Sequence, residues 1–305
     1  MSNQVYTITF NPTVDYVVEC DGEIQKGINR LSETNFFVGG KGLNVSRTLK
    51  NFGCNSKAFG FVGGFTGEFV KSSFTRKGIA HDFVEINDFT RLNVKIKSTD
   101  IELNGDISKV TDKNFDDFIS KISTVDEGNY LVLGGSAPQG CNHFFDKTLR
   151  HIENKNMKLI LDINGKFLLD FLKYKPFLIK PNLKELCEIF DKEITEIDEV
   201  VKYAKELFEK GAENVLVSLG KRGGVLVCNE GVYIATQKDT EPVNVVGCGD
   251  AVVAGFLHGV ILNENTVKRF ERAMTFGVAT AISIDLCSEK TYNEVLGYVT
   301  IEKVE

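Results

Sequence analysis

Short apolar runs of strand length alternate with stretches of helical spacing over most of the chain. Val5-Tyr6-Thr7-Ile8-Thr9-Phe10 reads as a buried strand. Residues 43–52 follow as a helix ended by Gly53. Thr111 is a candidate N-cap, with Phe115, Phe118, Ile119 and Ile122 on one helical face behind it. The pattern then predicts strands at 130–133, 158–161, 177–179, 215–217 and 225–227. It places helices over 141–152, 183–190, 200–210, 251–262 and 267–284. Buried strands alternating with helices argue for an α/β fold in three layers, a mostly parallel sheet covered on both faces. In such folds ligands collect beyond the C-terminal ends of the strands.

Two stretches break this rhythm. Residues 14–38 carry Val17-Val18 and Phe36-Phe37-Val38 with no helix between them. Residues 91–98 alternate, with Leu92, Val94 and Ile96 on one face and Asn93, Lys95 and Lys97 on a wet one. Both read as parts of a small antiparallel sheet projecting from the main body. A lid over a site, a dimer contact or plain edge hairpins would each account for it.

Composition changes the picture little. The 305 residues are 42% hydrophobic and 26% charged, enough for a sizeable core. Length allows two domains or one large one, but only 5 prolines and no linker-like stretch favour a single unit over 1–305. A net charge of -6 without a basic cluster argues against nucleic acid as a partner. An anionic substrate must then be held by local cations and backbone donors. The seven cysteines hold no Cys-x-x-Cys pair and the four histidines no His-x-x-x-His, which fits reduced thiols and no transition metal. The N-terminus carries no basic-then-apolar leader, and the longest apolar stretch, 251–262, is too short for a bilayer. A cytoplasmic protein with no membrane partner is the expectation.

Chemistry concentrates in a few segments. Gly247-Cys248-Gly249-Asp250 opens an apolar helix, where free N–H groups and the helix dipole suit an anion. Asp250 makes sense there as a group that takes a proton or orients a hydroxyl, with a pKa lowered by the helix end. The segment is no dinucleotide fingerprint, because the third glycine position is Val252. Nor does the chain hold a P-loop: its Gly-Lys pairs are followed by Gly42, Phe167 and Arg222. Gly39-Gly40-Lys41-Gly42-Leu43-Asn44 opens a second helix with backbone donors and a cation, suited to a sugar phosphate. Asp15 follows the first strand, where a carboxylate can accept from vicinal hydroxyls. Lys180-Pro181-Asn182-Leu183-Lys184-Glu185 contains a helix-capping box, and its Glu185 could also hold hydrated Mg²⁺. The 218–224 loop is a hairpin turn or a rest for a nucleotide, and Arg91 is a candidate phosphate clamp.

Together these segments resemble the PfkB (ribokinase-like) carbohydrate kinases over nearly the whole chain. The family's Gly-Gly-Lys-Gly-x-Asn and Gly-Ala-Gly-Asp signatures are matched at 39–44 and 247–250, with Cys248 in place of the alanine. The resemblance implies a ribokinase-like kinase domain with a β lid drawn from about 14–38 and 91–108, a lid that pairs subunits into homodimers in relatives. It implies ATP and Mg²⁺ as cofactors and a phosphosugar as substrate. Asp250 is then the catalytic base, with Gly247, Cys248 and Gly249 as the anion hole. Asp15, Gly39, Gly40, Lys41, Asn44, Arg91 and Asn93 contact the phosphosugar, Lys41 and Arg91 at the phosphate it already carries. Lys180, Asn182, Ser218 and Gly220 lie around ATP with Gly247 and Gly249, and Glu185 meets Mg²⁺ through water. The phrases at 9–15, 63–68, 90–96 and 175–182 imply D-fructose 1-phosphate as acceptor, with tagatose 6-phosphate as rival and a non-catalytic sugar-phosphate regulator as the alternative class. Departures stand at Val245, Ala137 and 106–109, where relatives often carry a polar residue, leucine and Gly-Pro-x-Ile.

Overall fold

The computed structural model describes residues 4–22, 24–97, 99, 101–163 and 165–305. β1 (Val5–Thr9) leads into β2 (Thr13–Cys20), β3 (Leu31–Gly39), α1 (Lys41–Asn51), β4 (Ser56–Val62) and α2 (Gly64–Arg76). Two-residue strands β5 (Ala80–His81) and β6 (Val84–Glu85) precede β7 (Arg91–Ile96), β8 (Ile101–Asn104) and α3 (Asp112–Ile122). Then come β9 (Tyr130–Gly135), α4 (His143–Ile152), β10 (Lys158–Ile163), α5 (Phe167–Phe171), β11 (Leu178–Ile179), α6 (Leu183–Phe190) and α7 (Ile197–Glu209). The chain closes with β12 (Asn214–Ser218), β13 (Gly224–Cys228), β14 (Gly231–Gln237), α8 (Cys248–Ile261), α9 (Thr266–Ala281), α10 (Glu289–Glu294) and β15 (Val299–Lys303).

The main sheet runs β15-β14-β13-β12-β11-β10-β9-β1-β4-β5, with β6 also on β4. From β12 through β11, β10, β9, β1 and β4 to β5 the pairing is parallel; β13, β14 and β15 extend it antiparallel. Strand β1 shows why two helical layers are needed. Tyr6 and Ile8 enter one core with α3, α4, α6 and α7. Val5 enters a second core with α1, α8 and α9. On that second side Thr7 Oγ1 lies 2.8 Å from Ser46 Oγ, and Thr9 Oγ1 accepts the Leu43 N–H at 3.0 Å. These bonds seat α1 directly on the strand end. Helix α8 is apolar on every face and is enclosed accordingly, buried from 250 to 260.

The second sheet, in the order β3-β2-β7-β8, draws β2, β3 and β7 from the two stretches that broke the helical rhythm and adds β8 just beyond them. The expected antiparallel pairing holds for β2 with β3 and β7 with β8, whereas the central pair β2–β7 is parallel. Several elements left no clear periodic trace. Helix α2 buries only Thr66, Gly67, Val70 and Phe74, and α10 buries nothing. The helices expected at 200–210 and 251–262 begin three residues earlier, at Ile197 and Cys248, where Asp198, Glu199 and Gly249-Asp250 interrupt the apolar pattern. All seven cysteines are free. No helix among the described residues is long and apolar enough to cross a membrane.

The seating of α1 on β1 depends on Gly42. A Cβ there would sit 2.7 Å from the Ile8 carbonyl oxygen and 2.7 Å from Thr9 Oγ1. One of these is backbone at the centre of the sheet and cannot step aside. Gly42→Ala should therefore cost about 1–3 kcal/mol by overpacking. Urea unfolding of the variant measures it, and a midpoint equal to the parent's would refute the close-approach argument.

Candidate active site

Gly247 caps the N-terminus of α8 in a left-handed conformation, φ +80°, with Leu286 Cδ2 only 2.6 Å from where a Cβ would stand. The first helical bond runs from the Ala251 N–H to the Gly247 carbonyl at 2.8 Å. The N–H groups of Cys248, Gly249 and Asp250 therefore face outward from the helix end, as an anion site requires. The Cys248 side chain turns back, its Sγ 3.7 Å from the Asn244 carbonyl. Burial, with the Asp250 charge beside it, pushes this thiol up to about 12.

Asp250 is 8% exposed and its Oδ2 accepts from Asn44 Nδ2 at 2.8 Å. The helix end was expected to lower its pKa; the structure reverses that. Burial, followed by the Asp162 charge, raises it to about 6, against the opposing pull of Asn44, Lys41 and Lys180. Desolvation of a carboxylate outweighs a partial dipole charge.

Behind Asp250 the parallel strands deliver a charged cluster at their C-terminal ends. Asp162 stands on β10, Lys180 just after β11, Glu185 in the first turn of α6 and Lys41 at the start of α1. Lys41 Nζ lies 2.9 Å from Asp162 Oδ1 and 3.2 Å from Glu185 Oε1, and Lys180 Nζ lies 3.6 Å from Asp162 Oδ1. Burial alone would depress Lys41, but Asp162, Glu185 and Asp250 together raise its pKa. Burial likewise opposes ionisation of Asp162, and Lys180 and Lys41 together bring it below the usual carboxylate range. Lys41 is thus held by the carboxylates of this cluster, while Arg91, the other cation expected at the sugar's phosphate, stands on β7 of the small sheet. Lys180 Nζ also comes within 3.2 Å of the position a Cβ on Gly249 would take. Asp162 was missed in the sequence. Its only signal is a carboxylate ending an apolar strand, where ligands gather.

Asn182 and Glu185 form the anticipated capping box. Asn182 Oδ1 accepts the Glu185 N–H at 2.8 Å, and Glu185 Oε2 accepts the Asn182 N–H at 2.8 Å. With Oε1 on Lys41, Glu185 keeps lone pairs for a water. No cluster of three or more acidic, His or Cys side chains able to hold a metal exists among the described residues.

The small sheet presents a polar face to this site. Asp15 on β2 accepts from Thr13 Oγ1 at 3.1 Å, from Asn93 Nδ2 at 2.9 Å and from Lys95 Nζ at 2.8 Å. Arg91 Nε donates to Asn93 Oδ1 at 2.9 Å. Gly39, opposite Thr13, leaves room beside the Asp15 carboxylate, since a Cβ there would stand 3.0 Å from its Oδ2. Gly40 caps α1. Lys95, first read as part of a wet face, belongs to this group. A cavity of about 430 Å³ is lined by Asp15, Asn44, Lys95, Val245 and Val246 among others; Arg91 stands outside that lining. A second cavity of about 240 Å³ is lined by Ser218, Gly220, Cys248 and Gly249. Asn182 and Lys180 do not line it, although Asn182 bridges to Ser218. Pro242 and Val245 line both cavities. The N-terminus of α8 therefore lies beside both pockets: Cys248 and Gly249 line the second, Asn44, the partner of Asp250, lines the first, and Asp250 itself lines neither.

A phosphate-suited helix end beside two such cavities, under a small β sheet, is the arrangement of a sugar kinase, and the chain belongs to the pfkB family of carbohydrate kinases, matched over residues 6–291. It is 41% identical to the 1-phosphofructokinase of Bacillus subtilis (strain 168), covering 98% of this chain and 100% of that one. It is 35% identical to the D-tagatose-1-phosphate kinase of Bacillus licheniformis over 92% of this chain and 93% of that one. The structure is also similar to that of phosphofructokinase-2 from Escherichia coli in complex with substrates and products. There the TM-score is 0.88 and the identity 26%, covering 97% of this chain and 99% of the other.

The raised pKa of Asp250 has a stability consequence. Its folded value, about 6, lies above the ordinary 3.8. The cost of holding it ionised is absent below the unfolded pKa and grows as pH rises to the folded one. Asp250→Asn should therefore stabilise the ligand-free protein by on the order of 2–3 kcal/mol at pH 7–8, the gain roughly halving by pH 5. Denaturant titrations at the two pH values test this; a variant less stable than the parent at pH 8 sinks it.

Proposed function

We propose that the chain is a 1-phosphofructokinase, transferring the γ-phosphoryl group of ATP to the 6-hydroxyl of D-fructose 1-phosphate to give fructose 1,6-bisphosphate and ADP. The observation that carries this is Asp250 on a helix end whose N–H groups are open, bonded to Asn44 of one cavity and adjacent in sequence to Gly249 of the other. In this reading the whole chain acts as one kinase unit in the cytoplasm. ATP lies in the cavity lined by Ser218 and Gly220, and the phosphosugar lies in the cavity under the small sheet. Asp15, Asn44 and Asn93 hold the sugar hydroxyls beside Gly39 and Gly40. Arg91 and Lys95 supply the cations of that face for the phosphate already present.

Asp250 holds the 6-hydroxyl in line with the γ-phosphorus. The sugar oxygen bonds to phosphorus as the bond to the β–γ bridging oxygen breaks, and the proton passes to the Asp250 carboxylate. The N–H groups at Gly247, Cys248 and Gly249 stabilise the charge on the transferring group, and Lys41 and Lys180 hold phosphate oxygens from the other side. Bound with the nucleotide and held through water by Glu185, Mg²⁺ would neutralise charge on the phosphates. A second reading has one specific support, the similarity to a kinase of D-tagatose 1-phosphate. That sugar differs from fructose at C4 and offers the same 6-hydroxyl.

The small sheet closes over the sugar in this reading and joins two copies of the chain. Its outer face supports this, with Phe36 54% and Leu103 58% exposed and Phe36 stacked on Tyr16. Light scattering of the purified chain should give a dimer, weakened by Phe36→Lys; a monomer at assay concentration refutes the pairing.

ADP release with Mg²⁺-ATP should give the highest kcat/KM for fructose 1-phosphate among the 1- and 6-phosphates of fructose and tagatose. Preference for tagatose 1-phosphate selects the second reading, and no turnover with any of them leaves a binding protein. The acid limb of kcat/KM should have its midpoint near pH 6, where Asp250 protonates. Asp250→Asn should lower kcat by about 100-fold or more and spare ATP binding. Near-parental turnover in that variant removes Asp250 from the base role.

A further inference from the structure

Arg47 lies on α1 one turn beyond Asn44 and is only 5% exposed. None of the contacts assigned above to sugar, nucleotide or metal uses it. Its Nη1 donates to the Val38 carbonyl at 2.7 Å and to Asn44 Oδ1 at 3.2 Å, and its Nη2 is bonded to the Asp285 carboxylate. A guanidinium has donors and no acceptor. The atom of Asn44 that meets it must therefore be the carbonyl oxygen, which turns the NH₂ end of the amide toward Asp250. There Nδ2 donates to Oδ2 at 2.8 Å.

We propose that Arg47 is a positioning residue of the phosphoryl-transfer site, fixing the Asn44 amide so that Asp250 faces a donor and never the carbonyl oxygen. This deepens the kinase reading and rests on it for its catalytic consequence. The terminal torsion of an asparagine is soft and two-fold, so nothing in the side chain itself selects the orientation. Arg47 selects it, and the same cation spans two further pieces of the site. Val38 lies at the root of β3, next to Gly39. Asp285 precedes Leu286, whose side chain packs on Gly247. One buried side chain thus links the small sheet, the partner of the base and the loop against the helix cap.

The other charges facing Asp250 are Asp162 on β10, Lys41 on α1 and Lys180 after β11, and none of them contacts Arg47 through a bond described here. Without Arg47 the Asn44 amide can turn its oxygen to Asp250. A lost donor and an apposed acceptor both disfavour the carboxylate, so the Asp250 pKa must rise. A merely structural Arg47–Asp285 pair would lower stability on deletion and leave that pKa where it stands.

The test is a ¹³Cγ NMR titration of aspartate-labelled, ligand-free protein, with the Asp250 signal identified by its loss in Asp250→Asn. In Arg47→Lys, which keeps the charge but not the fork, and in Arg47→Met, the Asp250 midpoint should move up by about one pH unit, the worth of one hydrogen bond to a charged group. With Mg²⁺-ATP and fructose 1-phosphate, kcat should fall about 10–100-fold, as for a misplaced reacting group, with KM for ATP unchanged and the acid limb following the NMR midpoint. A folded Arg47 variant with an unmoved midpoint overturns the proposal. If both variants fail to fold, Arg47→Gln, which is neutral and nearer in polarity, carries the test, and an unmoved midpoint there overturns it equally. The titration needs no substrate, so a parent enzyme inactive on every sugar would refute the kinase reading while leaving this inference decided by NMR alone.

Discussion

A carboxylate buried at the N-terminus of an apolar helix must be able to ionise, and the rest of the site is arranged around that difficulty. Burial and Asp162 resist the charge on Asp250; Asn44, Lys41 and Lys180 support it. The outcome is a carboxylate raised to about 6 rather than silenced. A base near neutrality combines adequate ionisation with a real affinity for a proton. Helix α8 could have been anchored with less difficulty by a neutral residue in its first turn. That a carboxylate stands there, with a capped glycine before it and lysines behind it, is a local conflict of the kind that marks working sites.

The parallel sheet solves the delivery problem. Strands β10 and β11 bring Asp162 and Lys180 to one level, and the seating of α1 on β1 brings Lys41 and Asn44 to the same place. The partners of Lys41 are remote in sequence, yet the parallel pairing of β1, β9, β10 and β11 makes them neighbours. The small sheet contributes the remaining polar face from elsewhere, tied at its root to α1. Two cavities of different character then open beside one helix end.

Much of the fold was legible because burial on both faces of a parallel strand leaves continuous apolar runs, as in 130–133 and 215–217. Helix α2 was not, since only two of its four buried positions, Val70 and Phe74, are apolar, the others being Thr66 and Gly67. The glycine segments at 39–42 and 247–249 were legible for a local reason: close approach and left-handed backbone need glycine wherever the rest of the chain goes. Asp162, Lys95 and Arg47 were not, because their meaning lies in partners tens to hundreds of residues away. The sign of the Asp250 shift was misjudged for the same reason. A helix dipole can be read from a motif, whereas desolvation depends on everything packed around it.

Cys248, the odd letter in the glycine segment, acquires a chemical character from its place. Thiols react with electrophiles and oxidants as thiolates. A thiol pushed to about 12 is ionised in only about one molecule in 10⁵ at neutral pH. The glycine turn thus carries sulfur beside the second cavity without carrying its reactivity, and alkylating or peroxide stress should find softer targets elsewhere on the chain.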